Sequence, residues 1–158
     1  MLLPVLAAIH GVCYYPFLPP RVASHFGPGG QPDAWSSKEA FVAGYAIVFG
    51  ATALFLLLVG LVLPRMPASW INLPNKEYWL APSRRAAAVA ALVGYYFWFA
   101  DATLGLLFAC VDVAFRFNLG RIGRPGVAFW TLVGAYILFT TGWSVALLRR
   151  FRGPGRTR

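Results

Sequence analysis

Along the chain, long apolar runs alternate with short polar breaks rich in proline and glycine. An α-helix rises about 1.5 Å per residue, so roughly 20 apolar residues cross the hydrocarbon core of a bilayer. Four stretches meet or approach that length. The first covers residues 1–16. Pro16, Pro19 and Pro20 end it, and Pro4 is tolerated in a first turn. Its shortness leaves two readings open: a marginal span, or a helix whose start lies upstream of Met1. The second covers 38–63, with no charge between Glu39 and Arg65. Ser36 followed by Glu39 is a capping-box pattern that starts the helix near Ser37, and Pro64 and Pro67 stop it. The third covers 86–111, follows Arg84 and Arg85, and carries Asp101 near its middle and Asp112 at its end. The fourth covers 125–148, opening on Pro125 and closing on Arg149 and Arg150. The pattern predicts an all-α polytopic transmembrane bundle of four spans. It forms a single domain over 1–150, followed by a basic disordered tail over 151–158.

The breaks between spans set the orientation. Four spans put both termini and the second loop on one side. Arg65, Lys76, Arg84, Arg85 and the tail residues Arg149, Arg150, Arg152, Arg156 and Arg158 lie there. Arg21, Lys38, Arg116, Arg121 and Arg124 lie on the other side. Basic residues concentrate on the cytoplasmic side, so both termini are expected in the cytoplasm and the first and third loops outside.

Composition agrees with a membrane setting. The 158 residues are 59% apolar and only 12% charged, about half the charge of a typical soluble domain, with a mean hydropathy of +0.63. That excludes a soluble globular, disordered or fibrous chain. The net charge of +9 would suggest nucleic acid in a soluble domain. Here the basic residues flank apolar runs, where they orient spans and meet anionic headgroups, and nucleic acid is not an expected partner. The arginine, alanine and glycine content points to a GC-rich, bacterial genome. No basic n-region and no A-x-A site marks a signal peptide. Cys13 and Cys110 form neither a CxxC nor a metal spacing and read as small apolar residues, with a disulfide between them conceivable. No cofactor and no metal site is expected.

The first loop carries a dense motif. Leu18-Pro19-Pro20-Arg21-Val22-Ala23-Ser24-His25-Phe26 is followed by Gly29-Gly30-Gln31-Pro32-Asp33-Ala34-Trp35-Ser36-Ser37-Lys38. It resembles the signature LPxxVxxHF…GxPDxWxSK of an uncharacterised bacterial membrane domain shared with the SdpI-like immunity proteins. The second loop, Ile71 to Pro82 with Asn72, Asn75, Lys76, Glu77, Tyr78 and Trp79, is similar to a further block in that family. The resemblance implies a small polytopic inner-membrane protein. In SdpI-like proteins it implies protection against a secreted peptide toxin and a role in holding a transcriptional repressor at the membrane.

The residues themselves allow two readings of each loop. In the first, Gly27, Gly29 and Gly30 permit unusual backbone and Pro19 and Pro20 restrict it. Arg21, His25, Phe26, Asp33, Trp35 and Lys38 then either form a folded cap at headgroup level or an outward recognition surface for a peptide or lipid. One His and one Asp are too few for a metal. In the second loop, Trp70, Tyr78 and Trp79 form an interfacial aromatic belt with Lys76, Arg84 and Arg85 on phosphates, or a docking surface for a cytoplasmic partner.

Ionisable groups within spans are costly, about 2.5–3.5 kcal/mol at a helix centre on insertion scales, and mark function or tight pairing. Asp101 and His10 fall at similar depth by counting, so a His10–Asp101 pair can form, as a proton or cation relay or as structural glue. Asp112 shares the face of Asp101, eleven residues on, and can pair with Arg116 if the helix continues. The aromatic run Tyr95–Phe99, and the small pairs Ala46/Gly50 and Gly142/Ala146, read as helix packing. No GxSxG, HExxH, Walker loop or dinucleotide fingerprint occurs, so an enzyme is not expected. The leading expectation is a non-enzymatic inner-membrane immunity or signalling protein that binds a membrane-active peptide through its outer loop. The alternatives are a proton- or cation-coupled transporter or channel subunit using His10 and Asp101, which at this size favours a homo-oligomer, and a structural subunit of a larger membrane complex.

Overall fold

The computed structural model describes residues 2–152. Helix α1 is Leu3–Tyr14, extended by a 3-10 turn at Tyr15–Phe17. Strands β1, Arg21–Phe26, and β2, Pro32–Ser37, form an antiparallel hairpin. Helix α2 is Lys38–Val62, α3 is the short Lys76–Trp79, α4 is Arg85–Asn118 and α5 is Pro125–Arg150. Among the described residues, three helices are long and apolar enough to cross a membrane: α2 with its 3-10 extension, Lys38–Arg65, then α4 and α5. The α1 segment Leu3–Phe17 is a shorter apolar helix; its 12 α-helical residues rise about 18 Å, against about 30 Å of hydrocarbon.

The loop expected at 16–38 contains the hairpin. Its sequence hides the strands because the pairing is interrupted twice. Val22 faces Ser36 and Ala23 faces Trp35, but His25 then pairs Ala34 and Phe26 pairs Pro32, leaving Ser24 and Asp33 as extra residues. Such bulges bend a strand and re-aim side chains, which erases the two-residue alternation that marks a strand. The tip closes through Gly30 N–H to the Gly27 carbonyl at 2.8 Å and Gly27 N–H to the Gln31 carbonyl at 2.9 Å. Gly30 takes a φ of 77°, a conformation that excludes most side chains. Helix α2 then starts directly. Ser37, one residue after the Ser36 that opens the capping box, caps it by accepting from the Ala40 N–H at 3.2 Å, while Glu39 accepts from the Tyr15 hydroxyl at 3.1 Å.

The described chain divides into two compact units, residues 2–54 with 101–136, and residues 55–100 with 137–152. The first unit centres on Phe115, which is fully buried. The rings of His10, Phe41, Tyr45 and Tyr14 surround it at centroid distances of 4.8, 5.2, 6.0 and 6.1 Å. Val22 and Ala23 of β1, and Leu18 just before it, are buried.

In the second unit, Ile71 and Leu73 of the 63–84 connection pack with Ala88, Val89 and Phe151. Phe151, which the sequence reading assigned to the disordered tail, is fully buried. It is held because Trp79 donates its indole N–H to the Phe151 carbonyl at 2.8 Å and stacks edge-on with its ring. The rest of that tail, 153–158, lies outside the described residues. Tyr96 donates to the Leu56 carbonyl at 2.6 Å and Trp143 to the Tyr95 carbonyl at 2.8 Å. Such bonds count in hydrocarbon, where helices gain little from burying apolar surface against each other. A Cβ on Gly60 would come 2.6 Å from the Phe97 ring, so close packing there requires glycine.

Candidate functional site

Residues of the first loop converge on the hairpin. His25 Nδ1 donates to Asp33 Oδ1 at 2.5 Å, and both side chains are exposed. The two bulges are what bring them together, since Asp33 is the residue skipped in the register. Arg21 lies over Trp35, guanidinium to ring centroid 5.8 Å, and Trp35 is half exposed. Phe26 turns the other way, edge-on to Phe117 at 5.2 Å. Lys38 sits over the Tyr15 ring at 4.7 Å. Exposed cation–aromatic pairs of this kind contribute about 0.5–1 kcal/mol each.

Three contacts fix the hairpin to the helix ends of its unit. The Asn118 side chain accepts from the Ala23 N–H at 2.7 Å and donates to the Ala23 carbonyl at 3.0 Å. Trp130 donates its indole N–H to the Pro28 carbonyl at 3.0 Å. Gly30 and Gly126 meet backbone to backbone: a Cβ on Gly30 would overlap Gly126, and one on Gly126 would come 3.0 Å from the Gly29 carbonyl oxygen. The sequence reading missed Asn118, Trp130 and Gly126. A lone asparagine at a helix end reads as a C-terminal signal, and nothing in its spacing points at residue 23, 95 positions away.

Beneath the hairpin is a cavity of about 550 Å³. Its walls include Phe26 and Pro28 of the hairpin, Phe41 of α2, Val111 and Ala114 of α4, and Phe129 of α5.

The ionisable pair differs from the one counting along the sequence allowed. His10 meets Asp112, not Asp101: Nε2 donates to Asp112 Oδ1 at 3.0 Å. The Asp112 Oδ2 accepts from Arg116 Nε at 2.6 Å, four residues on. The physical reason is the length of α4. It runs seven residues past the expected end, to Asn118, so Asp112 lies inside the helix rather than at its end and comes level with His10. The His10 side chain is 9% exposed, and its Nδ1 and the Tyr45 hydroxyl are buried without a hydrogen-bond partner among the described residues. Asp101 is half-buried, and its Oδ1 is likewise unpartnered. Cys13 and Cys110 are both free thiols. Among the described residues no three His, Cys, Asp or Glu side chains cluster as metal ligands.

The second-loop residues stand in different local surroundings. Asn72 is exposed between the buried Ile71 and Leu73. Asn75 adopts left-handed backbone, φ 52°, which starts α3. Lys76 and Glu77 line a shallow concavity with Ser69 and Pro82. Tyr78 lies under Arg84 at 4.1 Å. Trp79, expected in an interfacial belt, is turned toward Phe151, while Trp70 is 74% exposed.

Residues 2–50 match the family described as a domain of unknown function (DUF1648). That segment holds α1, the hairpin and the first half of α2. No curated protein and no solved structure matches the chain. The chain is a helical membrane protein with a DUF1648-like segment at its start.

Proposed function

We propose that the chain is a non-enzymatic binding protein of the bacterial inner membrane that recognises a membrane-active peptide through its hairpin, in the manner of an immunity protein. In this reading α1 is a fourth, short span, both termini are cytoplasmic and the hairpin faces outward. The observation that carries it is the fixed hairpin. Asn118, Trp130 and the Gly30–Gly126 contact hold its backbone, so Trp35, Arg21 and the His25–Asp33 pair are presented without an ordering cost on binding. A half-exposed tryptophan beside an arginine is the composition of a binding hot spot. A cytoplasmic partner would meet the second loop at Lys76 and Glu77.

The test is deletion and complementation under challenge with membrane-active peptides. Wild type restores resistance. The double variant His25→Ala, Asp33→Ala, at equal membrane level, is expected to shift the inhibitory concentration down about tenfold, the effect of losing roughly 1.4 kcal/mol of binding. Unchanged sensitivity on deletion ends the immunity reading.

A second reading rests on His10, Asp112 and Arg116, a chain of hydrogen-bonded ionisable groups that runs from the nearly buried His10 to the exposed Arg116. It makes the chain a proton- or cation-coupled subunit acting as a homo-oligomer, with Asp112 in the place sequence counting gave to Asp101. In vesicles it predicts a gradient-driven flux that Asp112→Asn abolishes and His25→Ala leaves intact.

A further inference from the structure

The cavity under the hairpin is lined mainly by apolar side chains and backbone, with Ser24, His25 and Cys110 as its few polar side chains. The Nδ1 of His25 is engaged by Asp33, and the Trp130 indole N–H is taken by the Pro28 carbonyl. Its size falls in the ordinary range for small-molecule sites, about 300–1,000 Å³, and apolar cavities take apolar guests rather than water. Its mouth is defined by exposure. Phe129 and Trp130 line it while remaining 41% and 54% exposed, and the neighbouring Val127 is 65% exposed. These residues begin a helix apolar enough to span a membrane, so in a bilayer the opening would stand where that helix enters the hydrocarbon. A chain can enter from the bilayer without crossing water.

The surrounding charge selects among lipids. Arg21, Lys38, Arg116, Arg121 and Arg124 stand against Asp33, Glu39 and Asp112 at this end of the unit, a net charge of +2. Arg116 is occupied by Asp112, and Arg121 lies over Tyr14. Arg124 is exposed and directly precedes Pro125, which lines the cavity. We propose that the cavity holds one acyl chain of an anionic phospholipid, drawn from the bilayer, with its phosphate at Arg124. This does not rest on peptide recognition by the exposed face of the hairpin.

The test uses the full chain in vesicles of mixed phosphatidylglycerol and phosphatidylcholine. One or the other lipid carries a photoactivatable group on its acyl chain, and adducts are mapped by mass spectrometry. With the phosphatidylglycerol probe, adducts at Val111 and Ala114 are expected to exceed those at the openly exposed Ile47 and Val48 by about tenfold, the enrichment of a site about 1.4 kcal/mol better than bulk lipid. Arg124→Gln should remove the preference for the phosphatidylglycerol probe over the phosphatidylcholine probe while cavity adducts persist. Ala114→Phe, which fills the cavity, should abolish those adducts. Where that variant fails to insert, the wild-type map decides alone. Even labelling around the helices overturns the proposal, as does a co-purifying peptide found in the cavity instead of lipid. Equal cavity labelling by both probes overturns the assignment to an anionic lipid.

Discussion

The hairpin of the first unit and the 63–84 connection of the second solve the same problem by different means. Each is a Pro-rich segment between helices that must hold a defined shape. The hairpin is fixed by directed contacts: the Asn118 amide on both backbone groups of Ala23, the Trp130 indole on Pro28, and a glycine-to-glycine approach. The 63–84 connection is fixed chiefly by packing: Ile71 and Leu73 are buried with Ala88, Val89 and Phe151, with the Trp79 indole and an Arg85 bond to the Met66 carbonyl at its margins. Directed contacts specify where a surface stands and tolerate few substitutions. Apolar packing supplies bulk stability and tolerates exchange of similar volumes. That contrast is in keeping with the presentation role proposed for the hairpin.

The contrast can be broken from either side. The largest effect is expected from Phe151→Ala, which empties the centre of the apolar cluster and should cost about 3–5 kcal/mol. Hydrogen exchange at the amides of α3 should quicken accordingly, whereas Phe151→Leu should cost far less. Next comes Gly30→Val, which combines left-handed backbone with overlap on Gly126. It should cost about 3 kcal/mol and open the hairpin to protease, while Gly29→Ala, with nothing within 4 Å of the added carbon, should leave it resistant. Asn118→Leu is expected to cost about 1–3 kcal/mol by leaving the Ala23 groups unpaired, read as faster exchange of the Ala23 amide. The directed-contact account fails if Asn118→Leu and Gly30→Val leave the hairpin as protected as Gly29→Ala does.

The long helices were legible because length and apolarity are properties of whole segments: the three long helices lie where the long apolar runs lie. Ends were less legible. Residues 112–118 carry Asp112, Arg116 and Asn118, which read as a loop by polarity, yet Asp112 and Arg116 neutralise each other one turn apart and allow α4 to continue. That one error of length moved the partner of His10 from Asp112 to Asp101. The motif from Leu18 to Lys38, with His25, Asp33 and Trp35, marked the segment that forms the hairpin but not its form, because two bulges break the strand period. Asn118, Trp130 and Gly126 act on residues about 95–102 positions away, and a single sequence carries no signal of such distances. Phe151 was hidden by its arginine neighbours.

The Asn118 amide has a consequence for how the protein behaves beside its copies. A two-stranded hairpin offers unpaired backbone along each edge, and an open edge is a template on which another chain can add a strand. At Ala23 both backbone groups are already satisfied by one side chain from α4. The molecule thus supplies a one-residue substitute for a third strand, and the edge of β1 is closed at its middle against self-association in a crowded membrane.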